Sequence, residues 1–419
     1  MNRKIQSVQK LTYWAVFISG ILFSNWLACG KQKVITPPPA THKIPLIRVA
    51  LDPQISSGTL LFREPFRLVS EEATYILDEE MGQFFVQFQN GFLTIKNTER
   101  SFSFNNFHSI ELIPENEGIF LWNNISYSGR IIFRKSKQSV QLINVLPFPQ
   151  YLEGVVPYEI PTHSDEYYQA ILAQTIAART YALYRIKNPE STNFDLYADT
   201  RDQVYQGTRN KSELVQRAVL ESYGAILETQ QNDLIKIQYH STCGGTIDPS
   251  VSQPETEMPV LQDHSSSNDF CIVSPLYRWV TQLTTRDILT NLVNLGFLPQ
   301  TEIQVWTEEG FEMNLEVLSR KPSGRIEKLA VSVGDKSILL QEWQIRRLFS
   351  AKPGQLQPST LFFLKSSPSN PGLVYVIGAG FGHGRGMCQW GAIGKALEGE
   401  SYKDILKFYY PELILNKIY

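Results

Sequence analysis

From residue 46 to about 146 the chain alternates hydrophobic and polar residues over short runs, a pattern typical of half-buried β-strands. The runs read LIRVAL, FFVQFQNGFLTIKN, GIFLWNN and GRIIFRKS. Asn90 and Gly91 separate two hydrophobic stretches and form a dipeptide that favours a tight hairpin. No group of chemically reactive residues stands out in these runs. We therefore expect a β-rich accessory region over 46–145, with a binding or scaffolding role.

The pattern changes near residue 146, where hydrophobic residues begin to recur at helical spacing. In SDEYYQAILAQTIAARTYALYRIKNP the recurring positions are Ala170, Ala173, Ala177, Tyr181 and Tyr184. Ser164 or Asp165 is a candidate N-cap, and Pro189 ends the pattern. The alanines predict close packing against another element. A second helix, KSELVQRAVLESYG, is expected to end at Gly224, and LIKIQYHSTCGGTI is expected to form a strand that enters a Gly-Gly turn.

Strands and helices continue to mix towards the carboxyl end. TRDILTNLVNLGFL has helical periodicity and RIEKLAVSVG has that of a strand, but residues 275–370 offer no candidate site. The segment at about 275–320 is the least characteristic part. The sequence thus predicts an α+β fold, with a β-rich N-terminal region followed by a mixed α/β domain over 146–419.

The first 29 residues have the pattern of an export signal. Arg3, Lys4 and Lys10 precede an uncharged apolar stretch over 11–28. The stretch ends at Leu-Ala-Cys-Gly, which resembles the cleavage box of bacterial lipoproteins, so Cys29 is the expected lipidation site. Trp26 departs from that box, and an uncleaved membrane anchor is the alternative. Either arrangement leaves the folded part outside the cytoplasm, in the cell envelope, and attached to a membrane.

A proline-rich spacer follows at 30–45, GKQKVITPPPATHKIP, and favours an extended, semi-rigid linker. The amino-acid composition limits the classes of partner that the chain can bind. The 419 residues are 42% hydrophobic and 19% charged, as in ordinary folded proteins, and the formal net charge is −2. Without a basic excess, we expect no nucleic acid partner.

One carboxylate stands out by its surroundings. Glu159 lies in YLEGVVPYEIP, inside an apolar run and between Pro157 and Pro161. Solubility does not require a charge at such a position. We expect Glu159 on a loop that leads into the next helix, where apolar neighbours that exclude water would raise its pKa. A pKa raised towards neutrality suits a general acid, so Glu159 is the candidate catalytic residue.

Two further segments carry polar side chains suited to ligand binding. In FDLYADTRDQVYQG, Gln203 and Tyr205 alternate with Val204 and would share one face of an extended segment. Ser241 and Thr242 precede the Gly-Gly turn and would present hydroxyls beside bare backbone. Ordinary turn residues are the alternative interpretation for both segments.

A glycine-rich loop lies near the carboxyl end, in LVYVIGAGFGHGRGMCQWGAIGKALEG. Glycine occupies every second position from 378 to 386, but neither the G-x-G-x-x-G spacing nor a terminal Gly-Lys-Ser/Thr is present. A dinucleotide or phosphate loop is therefore excluded. We expect a loop that brings backbone close to a ligand and presents His383 and Gln389, with structural hydrogen bonding as the alternative role of the histidine.

Five motifs, in this order, resemble the SpoIID/LytB family: YLEGVVPYEIP, AQTIAARTYAL, DTRDQVYQG, HSTCGGTI and GAGFGHGRGMCQWGAIGKALEGESYKDILKFYYP. The resemblance covers roughly 146–270 and 320–413. The family comprises peptidoglycan lytic transglycosylases and relatives first named as amidase enhancers. The resemblance implies a substrate-binding set of Arg179, Gln203, Tyr205, Ser241, Thr242, His383 and Gln389.

The resemblance also implies a role for Glu159. In such enzymes one carboxyl protonates the glycosidic oxygen between N-acetylmuramic acid and N-acetylglucosamine. The carboxylate then accepts the proton of the muramic C6 hydroxyl, which closes a 1,6-anhydro ring without water. One carboxylate therefore suffices where ordinary glycosidases use a facing pair.

The sequence departs from the family in its metal-binding residues. Some relatives bind zinc through a histidine and two cysteines near the QVY segment, and those cysteine positions correspond here to Tyr197 and Asp202. Neither residue offers a thiolate, so we predict no structural zinc and no cofactor.

The remaining cysteines concern stability. Cys388 stands where the family usually has serine, a small change. Cys243 and Cys271 form the expected disulfide, given an oxidising compartment. A Cys/His metal site with His240 and His264 stays open as an alternative, although the spacing matches no standard zinc pattern.

Two functional classes follow from the resemblance. The first is a membrane-tethered lytic transglycosylase that acts on peptidoglycan glycan strands. The second is a non-catalytic glycan-binding protein that recruits or stimulates an N-acetylmuramoyl-L-alanine amidase, which makes a cell-wall amidase an expected partner. A hydrolytic muramidase is a third, weaker alternative. The presence of Glu159 favours the first class.

Overall fold

A computed structural model describes residues 44–248, 269–301, 313–352, 354–367 and 369–418. The predicted export signal, Cys29, His264 and nearly all of the proline-rich linker lie outside these ranges. Within them, twelve strands precede the first α-helix and helices and strands are mixed after it, so the predicted α+β class is confirmed. None of the helices in these ranges is long and apolar enough to cross a bilayer.

Two antiparallel sheets form the N-terminal region. A seven-stranded sheet has the order β13-β1-β12-β11-β8-β3-β4, and a six-stranded sheet has the order β10-β9-β2-β5-β6-β7. The first seven strands are β1 (Leu46–Asp52), β2 (Ser57–Phe62), β3 (Phe66–Val69), β4 (Thr74–Leu77), β5 (Phe84–Gln89), β6 (Phe92–Lys96) and β7 (Ser101–Phe104). The next six are β8 (Ser109–Pro114), β9 (Phe120–Trp122), β10 (Ile125–Tyr127), β11 (Arg130–Ser136), β12 (Ser139–Pro147) and β13 (Leu196–Tyr197). The predicted hairpin at Asn90-Gly91 joins β5 to β6.

The hydrophobic core does not stop at residue 146. One cluster of buried side chains includes Phe62 and Phe133 from the two sheets together with Tyr151 and Ile176 from the helices that follow. β13 pairs in parallel with β1, so a strand from the helical region extends the N-terminal sheet. The domain division expected at 146 is still a prediction, but both regions share this core.

Seven helices occur in the part of the chain that the structure describes. They are α1 (Phe148–Glu159), α2 (Tyr168–Lys187), α3 (Glu213–Glu221), α4 (Thr285–Asn294), α5 (Glu342–Leu348), α6 (Gln389–Leu397) and α7 (Tyr402–Tyr409). α2 is buried along most of its length, which confirms the close packing predicted from its alanines. Ser164 caps a short 3-10 turn that leads into α2, since its side chain accepts a hydrogen bond from the Glu166 amide.

α1 corrects a prediction, because Glu159 is the last residue of a helix and does not lie on a loop. The prolines of this segment suggested irregular backbone. Pro149 stands in the first turn, where the missing N–H would have had no helical partner. Pro157 stands inside the last turn, and the burial of Tyr151, Leu152, Val155 and Val156 compensates for its cost.

The carboxyl-terminal strands form four small sheets. Two of them have two strands each: β14 (Ala225–Glu228) with β23 (Ile414–Lys417), and β15 (Tyr239–His240) with β22 (Met387–Cys388). The other two have three strands each: β16 (Arg278–Thr284), β21 (Asn370–Ala379) and β20 (Phe362–Ser367), and then β17 (Met313–Arg320), β18 (Ile326–Val333) and β19 (Lys336–Gln341). The strand predicted over LIKIQYHSTCGGTI is shortened to Tyr239–His240. The last two sheets enclose a second hydrophobic cluster that includes Leu329, Ile345 and Val376.

Gly154 provides a test of the packing beneath α1. A Cβ added there would lie 2.5 Å from Cε2 of Tyr205 and 2.7 Å from the carbonyl oxygen of Gly207. Alanine in place of glycine ordinarily stabilises a helix by about 1 kcal/mol. Because the Gly207 carbonyl is backbone and cannot rotate away, we expect overpacking to cost about 2–3 kcal/mol, the upper part of its usual range. Gly154→Ala should then lower the free energy of unfolding by about 1–2 kcal/mol in urea titrations. Gln150→Ala on the exposed side of α1 is the control, and a more stable Gly154→Ala protein would contradict the packing.

Candidate active site

The Glu159 carboxylate lies where three distant segments meet. Gln389, the first residue of α6, donates a hydrogen bond from Nε2 to Oε2 of Glu159 at 3.3 Å. The Val204 backbone N–H and the Tyr239 hydroxyl also donate to this carboxylate. The QVY segment, the strand that carries Tyr239 and the start of α6 therefore meet at the Glu159 carboxylate.

Burial dominates the electrostatics of Glu159. Desolvation raises its pKa from 4.5 to about 7, because removal from water disfavours the charged form. The hydrogen bonds from Gln389, Val204 and Tyr239 act in the opposite direction and lower the pKa. The end of α1 carries the negative pole of the helix dipole, which also disfavours an anion. The carboxyl can therefore both lose and regain a proton near neutral pH.

A chain of hydrogen bonds orients Tyr239 towards Glu159. Nε2 of Gln203 donates to the Ala178 carbonyl at 3.3 Å and to the Tyr239 hydroxyl oxygen at 2.7 Å, while Oε1 of Gln203 accepts from the Tyr151 hydroxyl at 3.0 Å. A carbonyl can only accept, so its contact fixes which end of the Gln203 amide faces Tyr239. The Tyr239 hydroxyl accepts from Gln203, and its own proton is directed at Glu159.

Sequence reasoning missed Tyr239. The residue stands one position before the HSTCGGTI motif and shares its strand parity with Ser241, a candidate that was selected. That alternation is the signal that would have found it. Gln203 was selected as a substrate contact, but it is 1% exposed and bonded within the protein, so its role is corrected to a positioning one: it reaches the carboxylate only through Tyr239, two hydrogen bonds away.

The glycine-rich loop packs against the segment that carries Tyr239. Gly386 has a φ of +67°, and any Cβ there would collide with the Gln238 carbonyl. At Gly382, with a φ of +108°, a Cβ would lie 2.9 Å from Cβ of His240. These positions require glycine because the backbones approach closely. The approach continues as the parallel bridge between β15 and β22, which pairs Tyr239 with Met387, two residues before Gln389.

His383 lies at the tip of this loop and its side chain is exposed. Its ring centroid is 5.6 Å from that of His240, and its Nδ1 accepts a hydrogen bond from the Arg385 amide at 3.1 Å. Ser241 is partly exposed, and its carbonyl accepts from the Trp390 amide at 3.0 Å, which anchors the start of α6. Both residues stay candidates for contact with a ligand.

Three predicted substrate-binding residues are corrected by their placement. Arg179 is 1% exposed, and its guanidinium donates to the Ala225 carbonyl and the Ser222 hydroxyl. Tyr205 is also 1% exposed and donates from its hydroxyl to Asn144. Thr242 is fully buried against the Ser274 hydroxyl at 2.7 Å. Because these groups are buried and bonded within the protein, we withdraw Arg179, Tyr205 and Thr242 from the substrate-binding set.

The positions of the zinc-binding cysteines of some relatives are filled by a different interaction. The Asp202 carboxylate accepts from the Tyr181 hydroxyl at 2.7 Å and the Tyr197 amide at 2.8 Å, and it forms an ion pair with Arg185 at 2.9 Å. A buried ion pair therefore joins the loop to α2 at this point. The absence of zinc from this position is still a prediction.

The expected Cys243–Cys271 disulfide is a further correction. The two Sγ atoms lie 3.3 Å apart and both thiols are free, whereas a disulfide bond is about 2.05 Å long. The prediction was right about proximity and wrong about the bond. Cys388, a third buried free thiol, lies beside them.

Comparison with known proteins finds two families. The family described as Stage II sporulation protein (SpoIID) matches residues 136–228, which include Glu159. A family described as a domain of unknown function (DUF8618) matches residues 249–386. These matches support the resemblance to the SpoIID/LytB family.

Three relatives illustrate the similarity. An uncharacterized protein of Brachyspira hyodysenteriae is 28% identical over 71% of this chain and 74% of its own length. The Stage II sporulation protein D of Bacillus subtilis is 27% identical over 67% of this chain and 76% of its own length. The amidase enhancer of Bacillus subtilis is 26% identical over 63% of this chain, but the match spans only 40% of that relative.

The raised pKa of Glu159 makes protein stability depend on pH. Between pH 4.5 and about 7 the folded state holds a proton that the unfolded chain releases, so stability falls as pH rises through this window. The Glu159→Gln variant carries no charge and avoids this loss. We expect its stability relative to the wild type to rise by about 3 kcal/mol between pH 4 and pH 8, since each pKa unit of the shift is worth about 1.4 kcal/mol.

Thermal and urea unfolding at a series of pH values check this expectation. Glu166→Gln removes an exposed carboxylate nearby and corrects for general charge effects. A Glu159→Gln advantage that does not grow between pH 4 and pH 8 would show that Glu159 keeps its ordinary pKa.

Proposed function

We propose that this protein acts on peptidoglycan as a lytic transglycosylase, with Glu159 as general acid and then general base. The observation that carries the proposal is a partly buried carboxyl with a pKa raised to about 7, held by donors from Gln389, Tyr239 and Val204. Similarity to the SpoIID family and to a relative named amidase enhancer supports a cell-wall role. The structure of the site supports the chemistry, because one carboxyl is required to hold a proton and then to accept one.

In the proposed reaction, the proton of Glu159 passes to the glycosidic oxygen between N-acetylmuramic acid and N-acetylglucosamine as the bond from that oxygen to the muramic C1 breaks. The three donors around Glu159 stabilise the carboxylate that forms. The muramic O6 then bonds to C1, and its proton passes to Glu159, which restores the acid. No water is consumed, so a second carboxylate is not required.

The contacts of Glu159 are consistent with a one-carboxyl mechanism. Among the described residues, the groups that shift its pKa are an amide, a hydroxyl and a backbone N–H, with no second acid. The exposed His383 and the partly exposed Ser241 are available to bind hydroxyl and amide groups of a sugar chain. We propose both, with Gln389, as substrate contacts.

A second candidate function is a non-catalytic one. The relative named amidase enhancer suggests a protein that binds glycan strands and stimulates a cell-wall amidase. The residues around Glu159 would then bind glycan without cleaving it. The two functions differ in what happens to the glycan when the purified protein acts alone.

The proposed location is the cell envelope, with the folded part outside the cytoplasm and attached to a membrane through lipidated Cys29 and the linker at 30–45. This location places the site near peptidoglycan. It rests on the sequence pattern of the first 45 residues.

Incubation of purified glycan strands with the full-length protein in detergent tests the reaction. We expect products with 1,6-anhydro ends, which mass spectrometry distinguishes from hydrolysis products because they lack the mass of one water. Glu159→Gln should reduce the rate by at least about 10²-fold, since it removes the proton donor. Its binding of glycan should be retained.

Glu153→Gln is the matched control, because it removes another partly buried carboxylate from the same helix. Its rate should equal that of the wild type. Reducing ends in place of anhydro ends would indicate a hydrolase. Intact glycan that nevertheless binds the protein would favour the amidase-stimulating role.

Lipidation of Cys29 is tested by Cys29→Ser. We expect the variant protein to leave the membrane fraction or to be mislocalised, while its cleavage of glycan stays at the wild-type rate. Alkaline extraction followed by immunoblotting provides the measurement. A variant that resists extraction would show that residues 11–28 remain as an uncleaved anchor.

A further inference from the structure

Three buried thiols that the proposed reaction does not use converge in the carboxyl-terminal half. Cys243 follows β15, Cys271 lies in the 3-10 turn Phe270–Val273, and Cys388 is the N-cap of α6. Their sulfur atoms all lie within 4.8 Å of one another. Three separate segments of chain have thus been brought to one point.

The spacing of the sulfurs suits a tetrahedral metal ion. Zinc–thiolate bonds are about 2.3 Å long, so tetrahedral geometry places neighbouring sulfurs about 3.8 Å apart. The sulfurs of Cys243 and Cys271 lie 3.3 Å apart, and all three sulfurs lie within 4.8 Å of one another, so their separations are compatible with that value.

Backbone N–H groups point at these sulfurs. The Cys243 and Gly391 amides donate to Sγ of Cys388 at 3.1 and 3.2 Å. The Gly244 and Gly245 amides face the sulfur of Cys271. Sulfur is a weak acceptor as a thiol and a strong one as a thiolate, and N–H donors of this kind support metal-bound thiolates.

A small cavity adjoins two of the thiols. Its lining includes Gly245, Ile247, Asp269, Phe408 and Tyr409 beside Cys243 and Cys271. A water molecule in this cavity could supply the fourth ligand of a tetrahedral ion held by the three thiolates.

We propose that Cys243, Cys271 and Cys388 bind one zinc ion in a structural site. The expectation of a zinc-free protein was drawn from Tyr197 and Asp202, which lie on another loop, and this site is separate from it. The proposal does not rest on the proposed function.

Zinc bound by these cysteines would also affect the position of the residues that bond to Glu159. Cys388 directly precedes Gln389, and Cys243 lies four residues after Tyr239. An ion held by both cysteines would fix the β15–β22 bridge, and with it two of the donors to Glu159. Zinc would in this way hold Tyr239 and Gln389 at the separation at which both donate to Glu159.

Metal analysis of the full-length protein tests the proposal. All proteins carry Cys29→Ser, so that the only thiols are the three in question, and each is reduced, incubated with zinc and freed of excess metal. We expect one zinc ion per chain by elemental mass spectrometry. Cobalt in place of zinc should give the intense near-ultraviolet absorption of thiolate–cobalt bonds.

Single variants Cys271→Ser and Cys388→Ser should each lose the stoichiometric zinc. The parent Cys29→Ser protein, which keeps all three thiols, is the control and should retain one zinc ion per chain. Zinc should raise the melting temperature of this control and leave that of the Cys271→Ser and Cys388→Ser proteins unchanged.

Two results would overturn the proposal. The first is a protein that holds no zinc after reconstitution and in which peptide mapping finds a Cys243–Cys271 disulfide with Cys388 free. The second is zinc that persists in both serine variants, which would assign the metal to other residues. Circular dichroism of each variant establishes that it is folded, so a loss of zinc reports on the site itself.

Discussion

The hydrogen bond between Gln389 and Glu159 joins residues 230 positions apart and determines the character of the site. It brings the start of α6 to the end of α1, where the surrounding protein partly desolvates a carboxylate that is still partly exposed. That desolvation is the largest influence on the pKa of Glu159 and raises it to about 7. Without this closure the carboxyl would be an ordinary acid on a helix end.

Several interactions hold the end of α1 against the start of α6, some on the α1 side and some on the α6 side. The N-terminal sheet supports α1 and the QVY loop, because Tyr205 packs under Gly154 and bonds to Asn144 of β12. On the opposite side, the β15–β22 bridge and the close approach of Gly386 to Gln238 set the position of α6. The β-rich region thus contributes to the site as its support, in keeping with the shared hydrophobic core.

Sequence patterns located the parts of the site that depend on residue type. An acid in an apolar run and glycines at alternate positions have few explanations, so Glu159, His383 and Gln389 could be selected without a structure. The patterns failed where a residue's environment decides its role. Arg179 and Thr242 look like ligands by chemistry, but burial has given their donors internal partners.

Helix α1 was missed for a related reason. Proline and glycine disfavour a helix by local propensity, whereas the burial of Tyr151 and Leu152 is a tertiary effect that the local sequence does not contain. Tyr239 was missed because its importance comes from the Gln203 amide that orients it. Cys243 and Cys271 were predicted to lie together. Cys388, which lies beside them in the structure, is more than a hundred residues further along the chain, and the local sequence does not indicate this contact.

A direct titration of Glu159 tests the central claim that burial prepares this carboxyl to exchange a proton near neutrality. Protein labelled with ¹³C at the glutamate carboxyl carbons gives one signal that is missing from Glu159→Gln, and that signal reports on the residue alone. The account predicts a midpoint of about 7 for it. A midpoint at the ordinary value of about 4.5 would contradict the account, because Glu159 would then be charged and unable to donate a proton at neutral pH.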